Sequence, residues 1–205
     1  MKFPGSKKRL AVLSTAAVVA VGVAAVQAGA IAADLSLRGT GTYCLSPEAV
    51  RTLAVQGVTL EAIAPATVDG TCLSMPGAGT LARDLSGGEV PLEGGMRFSG
   101  AGHRLDITNS IGHARIGEGN NTADVAVDDE AATNVDFIHW PLSVSRVSFT
   151  PTSVSIKDNP VTLTDAANTA FTKAFGASPT AEGEPLFFFT GQAEITNPFS
   201  KFPTP

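Results

Sequence analysis

Apolar and polar residues alternate in short runs along most of the chain, with glycine, proline or asparagine between the runs. Arg104-Leu105-Asp106-Ile107-Thr108 sends polar groups to one side of an extended backbone and apolar groups to the other. Residues 123–128, 135–140, 142–149 and 154–157 repeat the pattern. Shorter β-branched segments at 42–45, 58–63, 71–75 and 89–92 precede them. A late stretch, 186–195, opens with Leu186-Phe187-Phe188-Phe189, an aromatic run that implies burial on both faces or a packed sheet edge. Gly94-Gly95 and residues 117–121 are turn candidates. Many short strands at hairpin spacing imply an antiparallel sandwich or barrel; the expected class is mainly β, an antiparallel β-sandwich of immunoglobulin-like kind with two short helices.

The helices announce themselves by their ends. Ser46 is placed to accept a backbone N–H, Pro47 suits a first helical position, and Gly57 can close the last turn in the left-handed conformation. Val50, Leu53 and Ala54 would form the buried face. A second helix is bracketed by Thr164 and Gly176, with Ala167, Ala170, Phe171, Ala174 and Phe175 at helical spacing and the phenylalanines aimed at a sheet.

Residues 1–33 follow another pattern. A basic start (Lys2, Lys7, Lys8, Arg9), an apolar run over 10–26 and small residues ending at Ala32-Ala33 read as a secretory signal peptide. The rival is an uncleaved membrane anchor, because apolar and small residues continue almost to Ala33. The cleaved reading leaves 34–205 as a single secreted β-rich domain, extracellular or in the cell envelope, with no stable membrane insertion.

Of 14 basic and 19 acidic residues, the first 33 hold four of the basic and none of the acidic, so the remainder carries ten against nineteen, a net charge of −9. Such a chain lacks the basic face that a nucleic-acid partner requires. Cys44 and Cys72 are the only cysteines, and an oxidising compartment favours their pairing. Closing that loop is worth about 3 to 4 kcal/mol by chain entropy.

No motif specifies a reaction. His103, His113 and His139 match no metal-ligand spacing and read as solvated strand or turn residues. Asp124, Asp128, Asp129 and Glu130 could hold a hard cation, but the glycine-bearing spacing of a calcium loop is absent, and a solvated hairpin tip is the simpler reading. Ser99 precedes His103 by four residues without a nucleophile elbow, so a secreted hydrolase remains the minor alternative. Asn120-Asn121-Thr122 satisfies a glycosylation sequon. Tyr43 reads as a packing residue beside the disulfide, and Trp140, before Pro141, as the end of a strand.

The segments 94–100 (Gly-Gly-Met-Arg-Phe-Ser-Gly), 102–108 (Gly-His-Arg-Leu-Asp-Ile-Thr) and 163–171 (Leu-Thr-Asp-Ala-Ala-Asn-Thr-Ala-Phe) resemble exported actinobacterial proteins related to the HtaA-type haem-acceptor domain. The resemblance implies an HtaA-like β fold with small helices, a place outside the cytoplasm, no catalysis, and haem held through a tyrosine near the domain start with a supporting histidine. His103 takes the position of that histidine in the family's His-x-x-Leu-Asp pattern. The family's opening Trp and its Ser-Phe-x-x-Tyr pattern are missing, so the iron ligand is not carried onto Tyr43. The reading reached is a non-catalytic secreted protein with a binding or envelope-interaction role. Its partner is an unknown protein, cell-wall component or small molecule. No cofactor is expected from the residues themselves, and haem enters through the resemblance.

Overall fold

The computed structural model describes residues 34–82, 84, 86–115 and 117–196; the signal peptide expected over 1–33 lies outside them. The elements run Leu35–Leu45 (β1), Pro47–Gln56 (α1), Thr59–Ile63 (β2), Thr67–Asp69 (β3), Cys72–Leu81 (β4), Gly88–Pro91 (β5), Gly95–Gly100 (β6), His103–Arg115 (β7), Gly117–Val127 (β8), Thr133–Leu142 (β9), Val147–Thr150 (β10), Ser153–Leu163 (β11), Asp165–Phe175 (α2) and Pro185–Thr196 (β12). Every strand pairing between them is antiparallel.

The sheet is a closed barrel, and this corrects the expected sandwich. Following the pairings from β7 through β5, β4, β1, β12, β11, β9 and β8 leads back to β7, a ring of eight strands. β6 and β2 extend beside the first half of β7, β3 lies on β4, and β10 on β11. Closure depends on long strands that exchange neighbours. Leu105 to Thr108 pair with β6 on one side and β8 on the other, whereas Ile111 to Ala114 pair with β5 and β8. Between these halves Asn109 has φ +50° and the register shifts, the signature of a bulge that bends the strand. Alternation is identical in a sandwich and a barrel, so the sequence carried no signal for closure.

Both helices leave the barrel at the same end. Ser46 caps α1, its side chain accepting the Ala49 N–H at 3.1 Å, and Gly57 ends the helix at φ +66°. The buried face is Ala49 and Leu53; Ala54 is exposed and Val50 half-buried, so the helix is rotated from the face expected. Thr164 caps α2 through the Ala167 N–H, and Ala167, Phe171 and Ala174 are buried. Phe171 meets Phe98 of β6 edge-on at a centroid distance of 4.8 Å. Residues 142–149 are not one strand: β9 ends at Leu142, a short 3-10 turn follows, and the chain re-enters extended structure at β10. Gly117 does turn the chain at φ +90°, but residues 118–121 are paired in β8. The aromatic run of β12 is central, between β1 and β11, with Leu186 and Phe187 fully buried.

Cys44 and Cys72 form the expected disulfide, facing each other across β1 and β4. It ties the barrel where β1 passes into α1. That end holds the dense core: Leu73, Phe98, Leu105, Ile107, Phe137, Phe171 and Phe187 are all sealed from solvent.

Candidate functional site

The other end of the barrel is hollow. On β1 the residues facing inward are Leu37, Gly39, Gly41 and Tyr43; on β4 large Leu73 and Met75 give way to Gly77; on β7 Leu105 and Ile107 give way to Gly112 and Ala114. On β12 the sequence is Phe187, Phe189, Gly191, Ala193. Strand after strand exchanges bulky inward side chains for glycine or alanine at the same level. The result is a cavity of about 390 Å3, within the range of small-molecule sites. Packed protein interiors carry few voids larger than a water molecule, so this space is more than a packing defect.

Its lining is apolar apart from a few groups. Val90 lies on β5 and Leu92 just after it, Trp140 and Leu142 lie among the last residues of β9, and Val154 and Ile156 come from β11. Thr80, Arg115, Phe149 and Gln192 are exposed and mark the mouth. Phe149, on β10 outside the ring, is 42% exposed although it lines the cavity. The floor is aromatic. Phe189 lies 4.8 Å from Tyr43 and 6.4 Å, stacked, from Trp140, and Tyr43 meets core residue Phe187 edge-on at 5.7 Å. Glycine makes room for these rings: a Cβ on Gly119 would fall 2.4 Å from the Trp140 indole, and one on Gly41 or Gly191 would fall 2.9 Å from Phe189. Tyr43 therefore does pack, as expected, and Trp140, two residues before the end of β9, is also a wall of the cavity.

Polar groups at the floor are short of partners. Asn121, 1% exposed on the inward side of β8, has neither amide atom hydrogen-bonded, and the buried Trp140 Nε1 has no acceptor. The Tyr43 phenol lies beside the Asn121 side chain. Burial pushes its pKa up, and the neighbouring Asn121 amide only partly offsets this, so the hydroxyl stays protonated.

The histidines stand elsewhere. His103, at the β6–β7 hairpin on the packed end, is exposed with Nδ1 2.9 Å from Asp128 Oδ2. His113 Nε2 is 3.2 Å from the Thr122 hydroxyl, beside a second, polar cleft shared with Glu89 and Asn120, and His139 contacts Thr162 on the barrel exterior. None of the three lines the apolar cavity. The structure does not bring Tyr43 and His103 together. The acidic cluster is likewise dispersed: Asp124 accepts from Asn109 and Asn134, Asp128 from the Arg104 N–H, Asp129 from Arg104, and Glu130 pairs with Lys173. Among the described residues no three metal-binding side chains converge. Ser99 makes no hydrogen bond to His103 among them, so the Asp–His pair has no serine.

Sequence comparison finds no matching family model and no matching curated protein. Comparison of structures does find relatives. The C-terminal domain of HtaA from Corynebacterium glutamicum superposes with a TM-score of 0.62 at 15% identity, over 79% of this chain and 99% of that domain. The chain has the HtaA fold. The N-terminal domain of the same protein gives a TM-score of 0.57 at 15% identity over 78% of this chain and 98% of that one. The haem-binding protein HtaB of the same organism gives 0.53 at 15% identity over 79% and 95%. In this HtaA fold the hollow half of the barrel was visible in the sequence as glycines at alternate positions, in phase with the apolar side. Glycine read as a turn signal conceals that phase.

Proposed function

We propose that the protein is an exported binding domain that takes a small apolar molecule into the glycine-lined half of its barrel. The single observation that carries this reading is the cavity of about 390 Å3 walled by aliphatic and aromatic side chains. The basic and apolar start of the chain and the Cys44–Cys72 bridge support export into an oxidising compartment. No catalysis is proposed: the Asp128–His103 pair faces solvent, and among the described residues no serine or cysteine is hydrogen-bonded to it.

Haem is the second reading, favoured by the fold shared with HtaB, a haem-binding protein. The residues of this chain do not fit it as a tyrosine–histidine iron site. Tyr43 is the one cavity residue with an ionisable oxygen, and His103 points to solvent at the opposite end of the barrel, so the two cannot face one iron. His103 as a supporting haem residue would therefore need a different tyrosine, and Tyr43 is the only one in the sequence.

The test is direct binding of an apolar probe. N-phenyl-1-naphthylamine, which fluoresces in apolar surroundings, is titrated into the oxidised mature protein and into Gly112→Leu. A Cβ at Gly112 meets nothing nearer than 3.7 Å, so leucine enters the cavity without displacing the backbone. Saturable binding in the parent and a loss of at least tenfold in the variant are expected. Equal binding in both sinks the proposal. Haemin titrated in parallel decides the second reading, which requires a saturable Soret change; only a weakening in His103→Ala would bring that residue into the site.

A further inference from the structure

The unpartnered polar atoms at the floor say something about the molecule the cavity takes. A buried donor or acceptor without a partner costs about 1 to 3 kcal/mol, and native proteins rarely tolerate several together. Here the Trp140 indole N–H and both amide atoms of Asn121 are orphaned, and the buried Tyr43 hydroxyl lies beside the Asn121 amide. All three side chains are more than nine-tenths buried, and Tyr43 and Trp140 line the cavity. Gly119, under the Trp140 indole, and Asn121, beside the Tyr43 phenol, are successive inward positions of β8. The floor therefore holds an N–H and an O–H donor over successive inward positions of β8, with the Asn121 amide beside the second and an otherwise apolar wall around them. No charged side chain stands among them, and an ion brought there would lose its hydration without a counter-charge.

We propose that the ligand's inner end carries a neutral hydrogen-bond acceptor, a ketone, ester or amide carbonyl, received by the Trp140 N–H and by the Tyr43 hydroxyl that Asn121 flanks. This rests on the reading of the cavity as a binding site. It narrows the ligand from any apolar molecule to one with an uncharged carbonyl at its leading end, and it makes Tyr43 and Trp140 the specificity-determining residues.

Two probes of matched size separate the possibilities: 2-acetylnaphthalene, with a carbonyl, and 2-ethylnaphthalene, without one. Their dissociation constants are measured on the mature protein and on Tyr43→Phe and Trp140→Phe, each of which keeps a ring and removes one donor. The ratio of the two constants within each protein cancels differences in general hydrophobicity and in cavity size. One neutral hydrogen bond predicts that the preference for the acetyl probe falls about fivefold on removing a donor, with 2-ethylnaphthalene still bound. A fall of that size in either variant supports the proposal. A ratio that stays within twofold of the parent in both overturns it, even though binding persists. If neither probe binds the parent protein, the cavity reading itself fails, and the proposal with it.

Discussion

The two halves of the barrel are built from the same strands and differ in what those strands turn inward. At the helix-bearing end Phe98, Phe137, Phe171 and Phe187 interlock with Leu73, Leu105 and Ile107, all fully buried. At the other end the same β1, β4, β7 and β12 present Gly39, Gly41, Gly77, Gly112 and Gly191, and the space stays open. Dense packing and open space are thus separated along the barrel axis. The packed half can hold the fold, so the hollow half need not fill itself. Exchanging large for small residues within one strand needs no change of backbone, which is why one ring of strands can be solid at one end and hollow at the other.

The widest contrast compares two phenylalanines. Phe98→Ala deletes a sealed ring at the packed end and is expected to cost about 3 to 5 kcal/mol in denaturant unfolding. Phe149→Ala, at the cavity mouth, is expected to stay within about 0.5 kcal/mol. Equal costs would dissolve the distinction between the halves. The disulfide comes next. Cys44→Ser with Cys72→Ser releases a constraint across a separation of 28 residues, with an expected loss of about 3 kcal/mol, measured the same way. Enlargement reverses the direction of reasoning: Ala123→Leu at the packed end overfills a fully buried site at about 1 to 3 kcal/mol, whereas Gly112→Leu is expected to leave stability within about 0.5 kcal/mol.

These contrasts also mark what could be read in the sequence. Helix ends were legible because capping is local: Ser46, Pro47 and Gly57, or Thr164 and Gly176, act within a few residues of themselves. The disulfide followed from there being two cysteines and nothing else for them to pair with. Closure of the sheet was illegible because it depends on β7 changing partners at Asn109, a contact between residues far apart in the chain. The cavity lay between these extremes. Leu37-x-Gly39-x-Gly41-x-Tyr43 keeps the strand period while removing bulk, a pattern open to inspection, yet only the paired strands show that the glycines of β1, β4, β7 and β12 share one level. His103 was picked out by resemblance alone, and no feature of its local sequence shows that its ring turns outward to Asp128.

The smallest expected effect concerns how the outside of the barrel holds the bend in β7. Asp124, on the outer face of β8, accepts from Asn109 Nδ2 at 2.8 Å and from Asn134 Nδ2 at 2.9 Å, linking the bulge of β7 to β9 across the strand between them. These two hydrogen bonds, the Asn109 bond foremost, hold its carboxyl below the usual carboxylate range. A group with a depressed folded-state pKa contributes stability that is fully present above its unfolded value of about 4 and is lost as pH falls through the lower folded value. Asp124→Asn removes the charge that both amides address. The variant is therefore expected to melt slightly below the parent at pH 6, with the gap closing only as the pH falls below about 4 and through the lower folded value, where the parent carboxyl becomes protonated. Melting curves across that range make the comparison, and a gap that persists unchanged at the acid end would mean that shape, not charge, is what Asp124 contributes to the bend.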